Sequence, residues 1–373
     1  MNLRGLIRFL LPGASGLLFA GGIVVSGCAG SGAADHLSKV AVGRALFMDR
    51  SLSNPPGQSC ASCHNDGDFF VDPRRDSPTS EGAVAGIFGN RQAPSINYMA
   101  FSPAFHLDAD EQDYVGGQFW DGRAADFKDQ IHFPMLNPAE MNNASKGDVV
   151  AKVQGGPLAA SLRAIYGQDI FSDTNQAFDA IADAIAAFER SPVFSPFSSK
   201  YDAYLAGRVS LSPEEARGLV VFKGKAKCNN CHIADPGPDG SPPLFTDFTY
   251  DNIGLPKNPN NPFYSMPSYI NPDGAAFMDH GLQATTGRPE DAGRMKVPTL
   301  RNIARTAPYF HNGIFSTLEE VVEFYNKRDL GEFPPPEFPD TMNTEELGNL
   351  GLSDQEVSDL VAFLKTLTDG FPQ

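Results

Sequence analysis

The chain is poor in tryptophan, in cysteine and in positive charge. One Trp stands among 373 residues, against 28 Phe. Five Cys are too few for the disulfide lattice of a small secreted scaffold. Lys and Arg number 29 against 45 Asp and Glu, for a net charge of −16. That balance argues against nucleic acid and against adsorption to an anionic bilayer; it suits a basic redox partner, or simple solubility. No run of alternating residues suggests an extended sheet. The most apolar stretch, Leu17 to Val25, is too short and too interrupted, by Gly21 and Gly22, for a transmembrane helix. What is present is 41% hydrophobic residues, enough for real cores, and 36 Gly with 30 Pro, which imply many turns and long loops. The length predicts two or three domains.

The cysteines fall in a pattern. Cys60-Ala61-Ser62-Cys63-His64 recurs as Cys228-Asn229-Asn230-Cys231-His232. Each copy reads as a c-type haem attachment site, two thiols for the porphyrin vinyl groups and an adjoining imidazole for the iron. A zinc ribbon would bring its Cys pairs within about 15–20 residues, and these stand much further apart. A thioredoxin-like pair needs a βαβ context. Paired disulfides give no reason for a His after each pair.

The fifth cysteine belongs to the amino end. Arg4 and Arg8 precede the apolar run, which closes on Val25-Ser26-Gly27-Cys28. Residues 1–27 read as a lipoprotein signal peptide, with lipid on Cys28 as the only membrane attachment; a plain signal peptide is the alternative. Either puts the mature chain outside the cytoplasm, in the periplasm. Residues 28–37 read as a tether.

The expected fold is mainly α, two cytochrome c-like haem domains in tandem with long irregular loops, 38–206 and 207–373. A short amphipathic helix from Val40 to Phe47 leads into the first motif. Ser212 as cap and Pro213 in the first turn start a helix that leads into the second. Phe178 to Phe188 is Ala-rich and helical, and a short helix spans Tyr201 to Leu205. Residues 233–275 read as an irregular excursion. Helices are predicted from Thr317 to Lys327 and from Ser353, the last with Leu360, Phe363, Leu364 and Leu367 at helical spacing.

Four further stretches carry a resemblance: Phe119-Trp120-Asp121-Gly122-Arg123-Ala124, Asn137-Pro138-Ala139-Glu140-Met141, Lys296-Val297-Pro298-Thr299-Leu300-Arg301-Asn302 and Pro308-Tyr309-Phe310-His311-Asn312-Gly313. With the two haem motifs, over nearly all of the mature chain, they resemble the bacterial di-haem cytochrome c peroxidases and, within them, the MauG branch. The resemblance implies two covalently bound haems c, with Cys60, Cys63 and His64 holding a peroxidatic haem and Cys228, Cys231 and His232 an electron-transfer haem. Glu140 matches the catalytic acid, Gln130 and Pro134 the distal pocket, Trp120 the relay between haems, and His311 a haem-contacting residue. On local sequence alone Glu140 also reads as a helix-start carboxylate, and Trp120 as a core anchor.

Peroxidases of the family place a removable His in the loop matching residues 72–95; here that loop has none, and His106 reads as a surface residue. Fourteen residues after His311 the peroxidase branch has a Met ligand. This chain has Tyr325, as MauG-like proteins do; Met278, Met295 and His280 are the alternatives. The resemblance also implies a calcium ion held by Asn97 and the carbonyls of Thr306 and Pro308. The implied activity is reduction of hydrogen peroxide, with electrons from a small redox protein, a cytochrome c or a cupredoxin. The alternatives are a MauG-type enzyme oxidising side chains of a partner protein, and a non-catalytic di-haem electron carrier. Family members are often dimeric, so a homodimer is among the expectations.

Overall fold

The computed structural model describes residues 38–110 and 112–372; the signal peptide, Cys28 and the tether lie outside the described residues. The first half contains α1 (Lys39–Phe47), α2 (Cys60–Cys63), the strands β1 (His106–Leu107) and β2 (Tyr114–Val115), then α3 (Phe127–Leu136), α4 (Lys146–Gln154), α5 (Ala159–Tyr166) and α6 (Thr174–Glu189). The second contains α7 (Lys200–Leu205), α8 (Pro213–Lys223), β3 (Tyr250–Asp251), α9 (Gln283–Thr286), β4 (Met295–Lys296), α10 (Leu318–Lys327) and α11 (Asp354–Lys365), with short 3-10 turns between. Sheet is confined, among the described residues, to two antiparallel ribbons: His106 faces Val115, and Tyr250 faces Lys296. The mainly α expectation holds.

The helix starts follow their sequences. Ser212 and Glu215 form a reciprocal capping box with Pro213 at the first helical position of α8. Thr317 with Glu320 and Ser353 with Glu356 do the same for α10 and α11. Three helices, α3 to α5, have no counterpart in the sequence reading. Pro134 lies inside α3, where a proline reads as a stop. Val149, Val150 and Val153 give α4 a β-branched face that buries all three.

Two apolar cores are present, one from Val42 to Phe194, the other from Tyr201 to Leu367. The same packing unit builds both. In the first, α1 crosses α6 where Gly43 lies against the Ala184 carbonyl, and one turn on Phe47 meets Phe188 edge-on at 5.4 Å. In the second, α8 crosses α11 where Gly218 lies against the Asp359 carbonyl, and Phe222 meets Phe363 at 5.1 Å. A Cβ at either glycine would sit inside van der Waals contact of that carbonyl oxygen. Each pair of crossed helices belongs to a core against which one motif packs, Cys60 on the first and Cys228 on the second.

Gly218→Ala is expected to destabilise the holoprotein by about 1–3 kcal/mol through overpacking, seen as a lower midpoint of thermal unfolding. Gly147→Ala on α4, with only the Ser145 hydroxyl near its added methyl, is the control, neutral or slightly stabilising. Equal effects at both positions would remove the crossing from its structural role.

Candidate functional site

A single cavity is lined by Cys60, Cys63 and His64 on one side and by Cys228, Cys231 and His232 on the other. The four cysteines form no disulfide. No three His, Cys, Asp or Glu side chains converge on a metal-sized site among the described residues, which leaves the zinc reading without ligands. Both imidazoles are oriented from behind: His64 Nδ1 pairs with the Phe70 carbonyl at 3.2 Å and His232 Nδ1 with the Phe245 carbonyl at 2.9 Å. A carbonyl acceptor fixes the proton on Nδ1 and leaves Nε2 as the metal-binding nitrogen. Burial holds His232 neutral, its pKa lowered to about 4.

Buried polar atoms in the same wall lack partners among the described residues: Gln58 Oε1, Glu189 Oε2 and His311 Nε2. Unpaired buried atoms are costly, and a polar group bound in the cavity would satisfy them. The residues present therefore fit two haems c, with Cys60, Cys63 and His64 for one and Cys228, Cys231 and His232 for the other.

Glu140, Gln130 and Pro134 line this cavity. Gln130 and Pro134 sit one turn apart on α3 and so share a face. Glu140 stands in the turn after α3 rather than at a helix start, which removes the capping alternative. Asn137 Nδ2 donates to its Oε1 at 2.7 Å. Burial raises its pKa, while the Arg123 charge and the Asn137 hydrogen bond pull the other way. Ala83 N–H donates to the Glu140 carbonyl at 2.7 Å, so the 72–95 loop packs directly on this turn. His106 is exposed on β1 and bonds the Ala104 carbonyl. His132 points away, stacked on Phe178 of α6.

Trp120 lines the cavity with both motifs. Its Nε1–H donates to the Gln92 carbonyl at 3.0 Å, while Gln92 N–H donates to the His311 carbonyl at 2.7 Å. The His311 ring meets the indole edge-on at 6.4 Å. Lys296 grips the same hairpin twice: its N–H bonds the Trp120 carbonyl at 2.8 Å, and its Nζ bonds the Gly117 carbonyl. Arg91 holds the next residue, Asp121, at 2.7 Å, and makes a two-point pair with Asp279.

Tyr325 projects from α10 into the cavity wall. Burial raises its phenol pKa, and the Cys231 and Cys228 thiols add to the shift, so the ring lies beside the second motif. Of the alternatives, Met278 and His280 are exposed, whereas Met295 on β4 also lines the cavity. Thr306 and Pro308 reach the wall. Asn97 is buried nearby, with Nδ2 on the Phe69 carbonyl and Oδ1 unpaired among the described residues; Arg305 stacks on the Phe69 ring.

Sequence reasoning missed Arg91, Asp279, Gln92 and Glu189. The first three matter through contacts between distant stretches, and no local signal marks them. Glu189 ends α6 at 5% exposure in the cavity wall, and burial raises its pKa to about 8. The one available signal was an acid on the apolar face of an Ala-rich helix.

The profile of the family described as di-haem cytochrome c peroxidase matches residues 37–210. The methylamine utilization protein MauG of Paracoccus denitrificans is 40% identical over 348 residues, 88% of each chain. The cytochrome c peroxidase Ccp of Escherichia coli is 33% identical over 88% of this chain and 58% of that longer one. Among solved structures, the diheme peroxidase BthA of Burkholderia thailandensis superposes with a TM-score of 0.79 at 33% identity, covering 89% of this chain and 86% of that one.

Asn137→Ala removes a donor that stabilises the Glu140 carboxylate. The Glu140 titration midpoint is expected to move up, read from its carboxyl infrared band with Glu140→Gln as the blank. A midpoint that stays put or falls would show that the Asn137 bond does not govern this group.

Proposed function

Because the chain belongs to the di-haem cytochrome c peroxidase family and is an oxidoreductase of that type, we propose that it reduces hydrogen peroxide at the haem held by His64. One observation carries the reading: the groups this reaction needs line one continuous cavity with both attachment motifs. Haem supplies iron redox chemistry with a coordination position open to the oxidant.

The chain's own residues do the rest. Glu140 Oε1 is occupied by Asn137, so Oε2 is the atom that takes a proton from the near oxygen of peroxide and returns it to the far one. Burial raises the proton affinity of this carboxyl towards that task. The Gln130 amide orients peroxide by hydrogen bonding. Pro134, one turn along the same face, presents a ring without an N–H and helps to keep water out. Trp120 relays electrons between the haems, with its N–H bonded to the Gln92 carbonyl. His311 keeps the indole edge in place and offers Nε2 to the bound haem. Tyr325, through its phenol oxygen, and His232 would hold the second iron. With a phenolate ligand that haem would supply low-potential redox chemistry, where a thioether would raise the potential.

The same reading includes calcium at Asn97 Oδ1 and the carbonyls of Thr306 and Pro308, oxygen donors that suit a hard cation. Support comes from the unpaired Asn97 Oδ1 and from Arg75, whose guanidinium takes the alternate carbonyls, those of Arg305 and Ala307. It also includes tandem domains 38–206 and 207–373, export to the periplasm and a lipid anchor on Cys28. Electrons come from a small redox protein with a basic face. Oxidation of a partner protein's side chains is the second reading, favoured by the likeness to MauG and by Tyr325 in place of Met.

Mixing peroxide with the diferric holoenzyme is expected to change the optical spectra of both haems. Glu140→Gln slows that step by about 10²–10⁴-fold, and Tyr325→Met raises the potential of the second haem alone. If Tyr325→Met leaves the second haem's spectrum and potential unaltered, the phenol is not its ligand.

A further inference from the structure

A line of contacts runs from the second motif to the surface at Tyr204. It starts at His232, whose Nδ1 pairs with the Phe245 carbonyl at 2.9 Å. The Phe245 ring meets Tyr201 edge-on, with centroids 5.4 Å apart. A second link runs beside the first: Tyr201 Oη donates at 3.1 Å to the carbonyl of Ala234, two residues beyond His232. Tyr201 and Tyr204 stand three residues apart on α7, which brings their rings to 5.8 Å.

The two phenols differ in where their protons can go. Removing an electron from a phenol makes its O–H strongly acidic, and a charged ring without solvent is costly. Tyr201 is 1% exposed, and its hydroxyl faces a peptide carbonyl that cannot keep a proton. Tyr204 is 37% exposed, so its proton can leave to water. Tyr201 is thus a bridge and Tyr204 a terminus. An indole cannot serve as the exit, because the one Trp of the chain lies in the cavity wall.

We propose that Tyr204 is the surface site where an oxidising equivalent leaves the second haem, through Phe245 and Tyr201. The inference rests on the peroxidase reading, which supplies hydrogen peroxide as the oxidant. In this step the Tyr204 O–H bond breaks. One electron passes by way of Tyr201 and Phe245 to the oxidised second haem, which is reduced by one electron, and the proton goes to water. A one-electron donor in contact with α7 then restores the phenol.

The holoenzyme is mixed with hydrogen peroxide and a nitroso spin trap, without other reductant. Both haems are followed optically, and labelled peptides are located by mass spectrometry. Label is expected on Tyr204 and not on Tyr269, which at 71% exposure is the more accessible ring. Tyr204→Phe should abolish this label with the haem changes intact. Tyr201→Phe, which keeps the ring shape but loses the phenol and the Ala234 bond, should weaken it. Label on Tyr269 in place of Tyr204, or labelling of Tyr204 indifferent to Tyr201→Phe, overturns the route alone. Haems that do not respond to peroxide overturn the peroxidase reading and this route with it.

Discussion

A guanidinium cannot be buried without anions around it, and Arg91 draws its two from distant stretches of chain. Asp279 takes two of its N–H groups at 2.6 and 2.7 Å, and Asp121 takes a third at 2.7 Å. Leaving one member of such a buried set unpaired costs about 3–5 kcal/mol, so the three segments are held in register. The segment after the first motif brings Gln92 with it, the hairpin brings Trp120, and the Asp279 stretch brings the second half. The indole is fixed in the wall of the cavity that both motifs line because it neighbours a carboxylate that this cation requires.

The rest of the architecture is a single solution used twice. Glycine lets two helices cross at backbone contact, and a phenylalanine pair one turn away fills the angle behind the crossing. Gly43 with Phe47 and Phe188 does this in the first half, Gly218 with Phe222 and Phe363 in the second. Each half then differs in what it adds to the cavity wall. The first offers a carboxyl, an amide and a proline ring; the second offers a phenol from α10. The family's two-haem plan thus rests on packing that is symmetric and on chemistry that is not.

Much of this was legible in the chain because the signals are local. Two Cys and a His at fixed spacing, Ser212 with Glu215, Thr317 with Glu320, and the apolar stripe of α11 each act within a few residues. Helix α3 was not legible: Pro134 reads as a terminator, and what outweighs its missing hydrogen bond is burial of Phe127, Ile131 and Met135 along the same helix. The supports of Trp120 were not legible either. Lys296 and Gln92 bond Trp120 itself, Arg91 bonds its neighbour Asp121 and, 188 residues away, Asp279, and nothing short-range announces such pairings. Glu189 was hidden for a related reason: its surroundings are apolar, and its charge makes sense only beside a cavity that the whole fold encloses.

The four motif thiols stand half-buried in the cavity wall, and that setting bears on the order of assembly. Within the folded chain Cys63, Cys228 and Cys231 have their pKa values pushed up to about 12, mainly by desolvation, and Cys60 is raised as well. A thiol that holds its proton so tightly is a poor nucleophile. Thioether formation is favoured while those thiols are still open to water, before the two cores pack against Cys60 and Cys228. Such a setting suits porphyrins built into the maturing polypeptide, like a keel laid before the planking.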